Sequence, residues 1–312
     1  MPRCCVNQIP ASADTGAQFG TEEWAMSAAI ALVWGASFLF IAIAIDYVAT
    51  PVVPMARLFF GVMALLVIPT ARKRIDRSDY KRVIFLGLVW MAIPFMLYPM
   101  AEQSVSSAVA GMLNGGLPVM TVAVTAVFVR RRPSSQRIVS VLIGFFGITI
   151  ISLSSIQDGV SASVHGVVYL IIALLCYAIA VNVAQPLQAK YGSLTTMLWI
   201  EVCALIWTLP LGIPALWRSE FNFGALCALA ALGALGTGMA FVVYGTLLNR
   251  AGTVRGMIGT FFTPIVATVL GILFRDEEIH PIAIAGMFIV ICGAVLTSRP
   301  ERTGSVSATP TR

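Results

Sequence analysis

Charge is scarce in this sequence. Of its 312 residues only 11% are Asp, Glu, Lys or Arg, while 58% are hydrophobic and the mean hydropathy is +0.90. A soluble domain carries about 25% charged residues, because most of its surface faces water. A chain this poor in charge cannot cover such a surface, which excludes an ordinary soluble enzyme or binding module. Histidine is rarer still, and His165 and His280 are too far apart in sequence to suggest a metal pair. The phosphate-binding loop, serine elbow and zinc-helix motifs are all missing. Their absence argues against ATP-driven transport and against enzymatic chemistry, and no cofactor or metal is expected. The first 23 residues lack the basic-then-apolar order of a signal peptide and read as a disordered tail. Cys4 and Cys5 lie in that tail without zinc-ligand spacing. Cys176, Cys203, Cys227 and Cys292 lie inside apolar runs as small packing residues.

What is abundant is long uncharged segments. Apolar runs fall at roughly 24–45, 52–70, 83–101, 105–129, 138–155, 166–185, 194–214, 223–248, 253–274 and 279–298. A run of about 18 apolar residues reads as a membrane-spanning helix, and lipid tolerates no open strand edge. The sequence therefore predicts an all-α integral membrane protein of ten transmembrane helices. The net charge of +6 sits mostly in short loops: Arg72, Lys73, Arg74, Arg77, Lys81 and Arg82 after the second run, and Arg130, Arg131, Arg132 and Arg137 after the fourth. Lys190, Arg250, Arg255 and the C-terminal Arg299, Arg302 and Arg312 fall on the same side if ten spans are counted. Positive loops stay in the cytoplasm, so both termini are expected there, in a plasma or inner membrane. No aromatic-basic interleaving accompanies these charges, and a nucleic-acid partner is not expected.

The two halves resemble each other. Tyr98 lies 20 residues before Pro118, and Tyr244 lies 20 residues before Pro264, both prolines falling within apolar runs. The same offset of 146 residues places Phe128 on Phe274 and Gly147 on Gly293. The loops reverse in charge: RRRPSSQR corresponds to acidic RDEEIHP, and AEQSVS to basic LLNRAGTVRG. Five helices per half, with opposite loop charge, imply two inverted repeats at 24–155 and 164–298, followed by a cytoplasmic tail at 299–312. Such symmetry suits alternating exposure of a central site to the two membrane faces.

A few polar residues stand out against this background. Glu201 is nearly alone inside an apolar helix, where a charge costs roughly 2.5–3.5 kcal/mol on insertion scales. It is either a site for a cation or coupling proton, or a hydrogen bond between helices. Arg57 either attracts an anionic group of a substrate or pairs with a neighbour or the interface. Glu102 reads as a solvated charge at a helix end. Asn114 and Thr260 precede Pro118 and Pro264 by one turn, and these pseudo-symmetric kinks are candidates for a midplane site. Trp34, Tyr98, Tyr177 and Tyr244 are candidates for an aromatic cavity lining, or for interfacial anchors. Ser140 and Gly147, against Gly286 and Gly293, suit either close helix packing or a dimer face, so monomer and homodimer both stay open.

In ALVWGASFLF, with Trp34, Gly35, Ser37 and Phe38, and in PMARLFFGVMALL, around Arg57, the chain resembles EamA-type carriers of the drug/metabolite transporter superfamily. GTGMAFVVYGTLLNRAG, FFTPIVATVLGILFRDEE and IAGMFIVICGAVL extend the resemblance over residues 26–298, with Glu277 at the usual acidic position. Arg131, where an acidic residue is usual, and Glu102 and Gln103, where Ala-Leu is common, depart from the pattern. The resemblance implies a secondary carrier for a small molecule such as an amino acid, drug or metabolite, commonly an exporter. An uptake carrier is the rival within transport. A membrane enzyme or sensor is the rival outside it, without the polar cluster or soluble domain each needs.

Overall fold

A computed structural model describes residues 20–129, 135–157, 161–256 and 258–297. The N-terminal tail through residue 19, residues 130–132 and the tail expected at 299–312 lie outside the described residues. Among the described residues the chain is helical and contains no strand. The helices are α1 (Thr21–Ile45), α2 (Val52–Leu66), α3 (Tyr80–Leu86), α4 (Ile93–Glu102), α5 (Ser107–Asn114), α6 (Leu117–Val129) and α7 (Ser135–Gln157). They continue as α8 (Ser161–Tyr191), α9 (Ser193–Leu216), α10 (Phe223–Ala230), α11 (Ala240–Gly256), α12 (Ile258–Arg275) and α13 (Pro281–Thr297). Widened helical turns at Gly87–Ala92 and Ala231–Met239 join α3 to α4 and α10 to α11.

Six stretches are long and apolar enough to cross a membrane: Thr21–Ile45, Arg77–Glu102, Ser107–Thr125, Val164–Tyr191, Ser193–Leu216 and Phe223–Leu247. Val52–Leu66, Ile138–Ser154, Gly259–Arg275 and Pro281–Leu296 are apolar but shorter. Large apolar side chains point outward, with Phe146 62% exposed, Val127 76% and Phe223 84%. Apolar surface on this scale, on helices of spanning length, suits a lipid surround.

Helix ends follow local chemistry. α1 starts at Thr21, three residues before the expected run, because the Glu23 carboxylate accepts from the Gly20 N–H at 2.9 Å. Acidic residues there also suit the positive end of the helix dipole. The Ser106 hydroxyl caps α5 through Val109 N at 3.3 Å, and Asn222 caps α10 through Ala225 N at 2.6 Å. Gly192, at φ +79°, lets α8 reverse into α9 within a single residue.

Small residues set which helices touch. α7 and α13 meet backbone to backbone: a Cβ on Gly147 would lie 2.7 Å from Val290 N, and one on Gly293 2.7 Å from Gly144 N. The small faces at Ser140, Gly147, Gly286 and Gly293 are thus spent on packing within the chain. The widened turns pack in a related way. Gly87 lies against Cys203 and Ile200 O of α9, and Gly233 lies against Arg57 O and Phe60 of α2. Gly87 and Gly233, like Arg57 and Cys203, are 146 residues apart.

α5 stops at Asn114, and α6 begins at Leu117 after the Gly115-Gly116 turn. Pro118 therefore sits in the first turn of a new helix, where its missing N–H is not needed, instead of kinking a continuous one. Pro264 does lie inside α12, and its ring rests where a Cβ on Gly115 would be, 2.6 Å from Cγ. The two proline elements thus pack directly against each other.

Gly147→Val tests the closest of these contacts. The added side chain collides with the α13 backbone, and overpacking of this kind costs about 1–3 kcal/mol. The expected outcome is a clear fall in apparent Tm in detergent; an unchanged Tm would mean that α7 and α13 are not in backbone contact.

Candidate functional site

Three groups of polar and aromatic side chains converge between the helices. The first is built on Arg57, which α2 points inward, away from lipid, so that only 8% of it is exposed. Its Nε donates to the Thr237 hydroxyl at 2.7 Å, and its guanidinium carbon lies 3.8 Å over the centre of the Phe95 ring. Thr237 in turn donates to Leu232 O at 3.2 Å, a partner five residues back that the widened turn of 231–239 makes available. Thr237 thus satisfies its own proton while accepting one from Arg57. The terminal nitrogens of Arg57 have no hydrogen-bond partner among the described residues. Snorkelling to the interface is therefore not what this side chain does.

Glu201, on α9, is completely buried, and neither carboxylate oxygen has a hydrogen-bond partner in the described structure. Arg57 lies on the adjacent α2, although the two form no direct ion pair. Gly61 makes room for it, since a Cβ there would lie 2.7 Å from Glu201 Oε2. An isolated buried charge is costly, and among the described residues no hydrogen bond between helices meets this one.

The second group is aromatic. Trp34 Nε1 donates to Gly236 O at 3.1 Å, and its ring lies 5.1 Å from Tyr244 and 5.8 Å from Phe241. Phe241 continues to Trp90 at 6.1 Å. In a neighbouring cluster Tyr98 donates to Asn114 Oδ1 at 2.7 Å, stacks on Tyr177 at 6.1 Å and touches Phe38 at 5.6 Å. Tyr98 is buried and Tyr177, Asn114, Trp34 and Tyr244 are half-buried. Thr260 is half-buried one turn before Pro264 on α12.

The third group surrounds a cavity of about 460 Å³ lined by Asp46, Glu102, Gln103, Ser107, Arg275 and Glu277. Glu277 closes the exposed start of α5: Oε1 accepts from Ser107 N and Oγ at 2.8 Å each, and Oε2 from Ala108 N at 2.9 Å. Arg275 is paired with Asp46. Glu102 does end α4, as expected, but it is not the solvated charge its position suggested. Its carboxylate oxygens are buried without partners among the described residues.

The folded chain thus brings Tyr98, Asn114 and Tyr177 together, and separately Trp34 and Tyr244, with Arg57 near Glu201. Sequence reasoning missed Thr237, Phe95 and the buried Glu102. Thr237 carried one signal, as a hydroxyl among the glycines of GALGTGM in an otherwise apolar stretch.

Apolar helices of spanning length that enclose buried charges define a multi-pass membrane protein. The chain belongs to the EamA-like transporter family, which matches residues 24–153 and 164–299. It is 21% identical to an uncharacterized transporter of Archaeoglobus fulgidus, covering 89% of this chain and 99% of the relative. It is 23% identical to the uncharacterized transporter YoaV of Bacillus subtilis, over 86% and 94%. A probable terminal-alkyne amino-acid exporter of Streptantibioticus cattleyicolor is 24% identical, over 88% and 93%. One solved crystal structure shares the fold with a TM-score of 0.61 at 14% identity, covering 88% of this chain and 96% of that one. Family and relatives point to transport and not to an enzyme.

Thr237→Val keeps the side-chain shape and removes the acceptor of Arg57. Leaving a buried charged donor unmatched costs about 1–3 kcal/mol or more. A lowered apparent Tm is expected, and a Tm equal to that of the native protein would contradict the buried geometry of Arg57.

Proposed function

We propose that the chain is a secondary carrier for a small metabolite with an anionic group, such as an amino acid or related solute, and that it works by alternating access. Arg57 carries this reading: a nearly buried guanidinium is held by Nε and an aromatic ring, with its terminal nitrogens unclaimed. Such a fork suits a carboxylate or similar anion. Glu201 beside it takes the coupling proton or a cationic group of the solute, while Trp34, Tyr98, Asn114, Tyr177, Tyr244 and Thr260 shape the rest of the site. Pro264, Pro118 and the Gly115-Gly116 break supply the irregular backbone found at carrier midplanes.

The ten spans are the six long stretches together with the four shorter apolar helices. Two inverted five-helix units are supported by the reversed loop charges and by the related packing of Gly87 on Cys203 and Gly233 on Arg57. The basic loops then lie in the cytoplasm with both termini, in the plasma or inner membrane. Export is the favoured direction, in keeping with the exporter name of the Streptantibioticus relative.

Flux in proteoliposomes tests this, using a panel of amino acids, organic cations and drugs, with and without a pH gradient, loaded inside or outside. Solutes bearing a carboxylate are expected to move, and Arg57→Gln is expected to slow them by about tenfold or more, the worth of one charged hydrogen bond. Glu201→Gln is expected to abolish the response to the pH gradient. Flux of none of the panel, or an unaltered pH profile in Glu201→Gln, would count against the reading.

A further inference from the structure

The segment joining α2 to α3 concentrates positive charge without the acidity to match it. Arg72, Lys73, Arg74, Arg77, Lys81 and Arg82 all lie within residues 72–82, and all are exposed. Two acids interrupt the run, Asp76 and Asp79, and both are already engaged from elsewhere. Lys190 Nζ, at the end of α8, lies 2.7 Å from Asp76 Oδ2 and 2.8 Å from Asp79 Oδ2. Tyr191 donates to Asp79 Oδ2 at 2.7 Å, and Arg82 lies 3.7 Å from Asp79 Oδ1. The hydrogen bond from Lys190 holds the Asp76 carboxylate below its usual range, so it remains an anion committed to Lys190. Arg72 spends its Nε on Leu66 O at 2.6 Å. Lys73, Arg74, Arg77 and Lys81 have no acidic partner among the described residues.

The segment is held in place. Ala71 and Ile75 are buried pegs, at 0% and 5% exposure. Thr195 donates to Thr70 O at 3.2 Å, Trp199 Nε1 to Lys73 O at 2.8 Å, and Asp76 N to the Tyr191 hydroxyl at 3.1 Å. A fixed backbone presents the cations without the ordering cost that a loose tail would incur on binding. Flanking the cations in sequence, Leu66 ends α2, Val67 follows it, and Tyr80, Ile84 and Phe85 lie in α3, all of them exposed apolar side chains.

We propose that residues 66–85 form a docking surface for an anionic phospholipid. The headgroup phosphate sits on Lys73, Arg74, Arg77 and Lys81, and the acyl chains lie along Val67, Ile84 and Phe85. Charge and apolar surface side by side match a lipid. A free phosphate or an acidic soluble protein would have no use for the apolar half. Basic residues next to a membrane attract anionic lipid cumulatively, so several act together. The site is independent of which solute is carried.

The test uses the purified full-length chain in a neutral detergent, with phosphatidylglycerol, phosphatidylcholine or inorganic phosphate added, and follows apparent Tm and lipid retained in native mass spectrometry. Phosphatidylglycerol is expected to raise Tm and remain bound where phosphatidylcholine does not, and inorganic phosphate to do neither. The variant K73Q/R74Q/R77Q/K81Q is expected to lose affinity for phosphatidylglycerol by about tenfold or more. Its Tm in phosphatidylcholine is expected to match that of the native chain, which separates lost binding from lost folding. If that Tm falls, the single variants R74Q and K81Q are compared in its place. Equal retention of both lipids, equal stabilisation by inorganic phosphate, or full phosphatidylglycerol binding in the variants would each overturn the proposal. Because binding is read without transport, it stands or falls separately from the carrier reading.

Discussion

A guanidinium is costly to bury among apolar helices, and Arg57 is held by its Nε and one face while its terminal nitrogens stay open among the described residues. Thr237 and the face of Phe95 hold it, which ties α2 to the 231–239 stretch and to α4. Gly233 allows the approach, since any side chain there would strike the Arg57 backbone. The widened turn frees the Leu232 carbonyl for the Thr237 hydroxyl, so the acceptor of Arg57 is itself satisfied. Burial of one cation thus dictates a glycine, an irregular helical turn and a threonine, all from the second half of the chain.

Three carboxylates divide by how they are met. Glu277 is capped at every oxygen by α5 and belongs to the architecture. The carboxylate oxygens of Glu201 and Glu102 are buried without partners among the described residues. Fully matched buried groups fix a structure, and unmatched ones are the places where an incoming proton or solute gains most. The matched acid and the unmatched acids of this chain differ in that way.

Much of the fold was legible because lipid makes harsh demands on sequence. The apolar runs fall on the observed helices, and the small residues at Gly147 and Gly293 marked a close helix pair. Glu201 stood out because an acid in an apolar run must face a cavity or a partner. The inward aim of Arg57 was not legible, because α2 is apolar on most sides and its periodicity does not separate a lipid face from a core face. Phe95 carries no polar signature at all. The burial of Glu102 depends on how the ends of four helices meet, which no local pattern records. Pro118 misled because proline marks both the start of a helix and a kink, and the Gly115-Gly116 pair decides between them.

The most direct test of alternating access places a single cysteine at Asn114, beside Tyr98, in a chain whose native cysteines are replaced. The protein is reconstituted in vesicles and treated with a membrane-impermeant thiol reagent applied to one side at a time. Alternating access predicts labelling from both sides, with a transported solute shifting the balance between them. Labelling from one side alone under every condition would contradict a site shared by the two faces of the membrane.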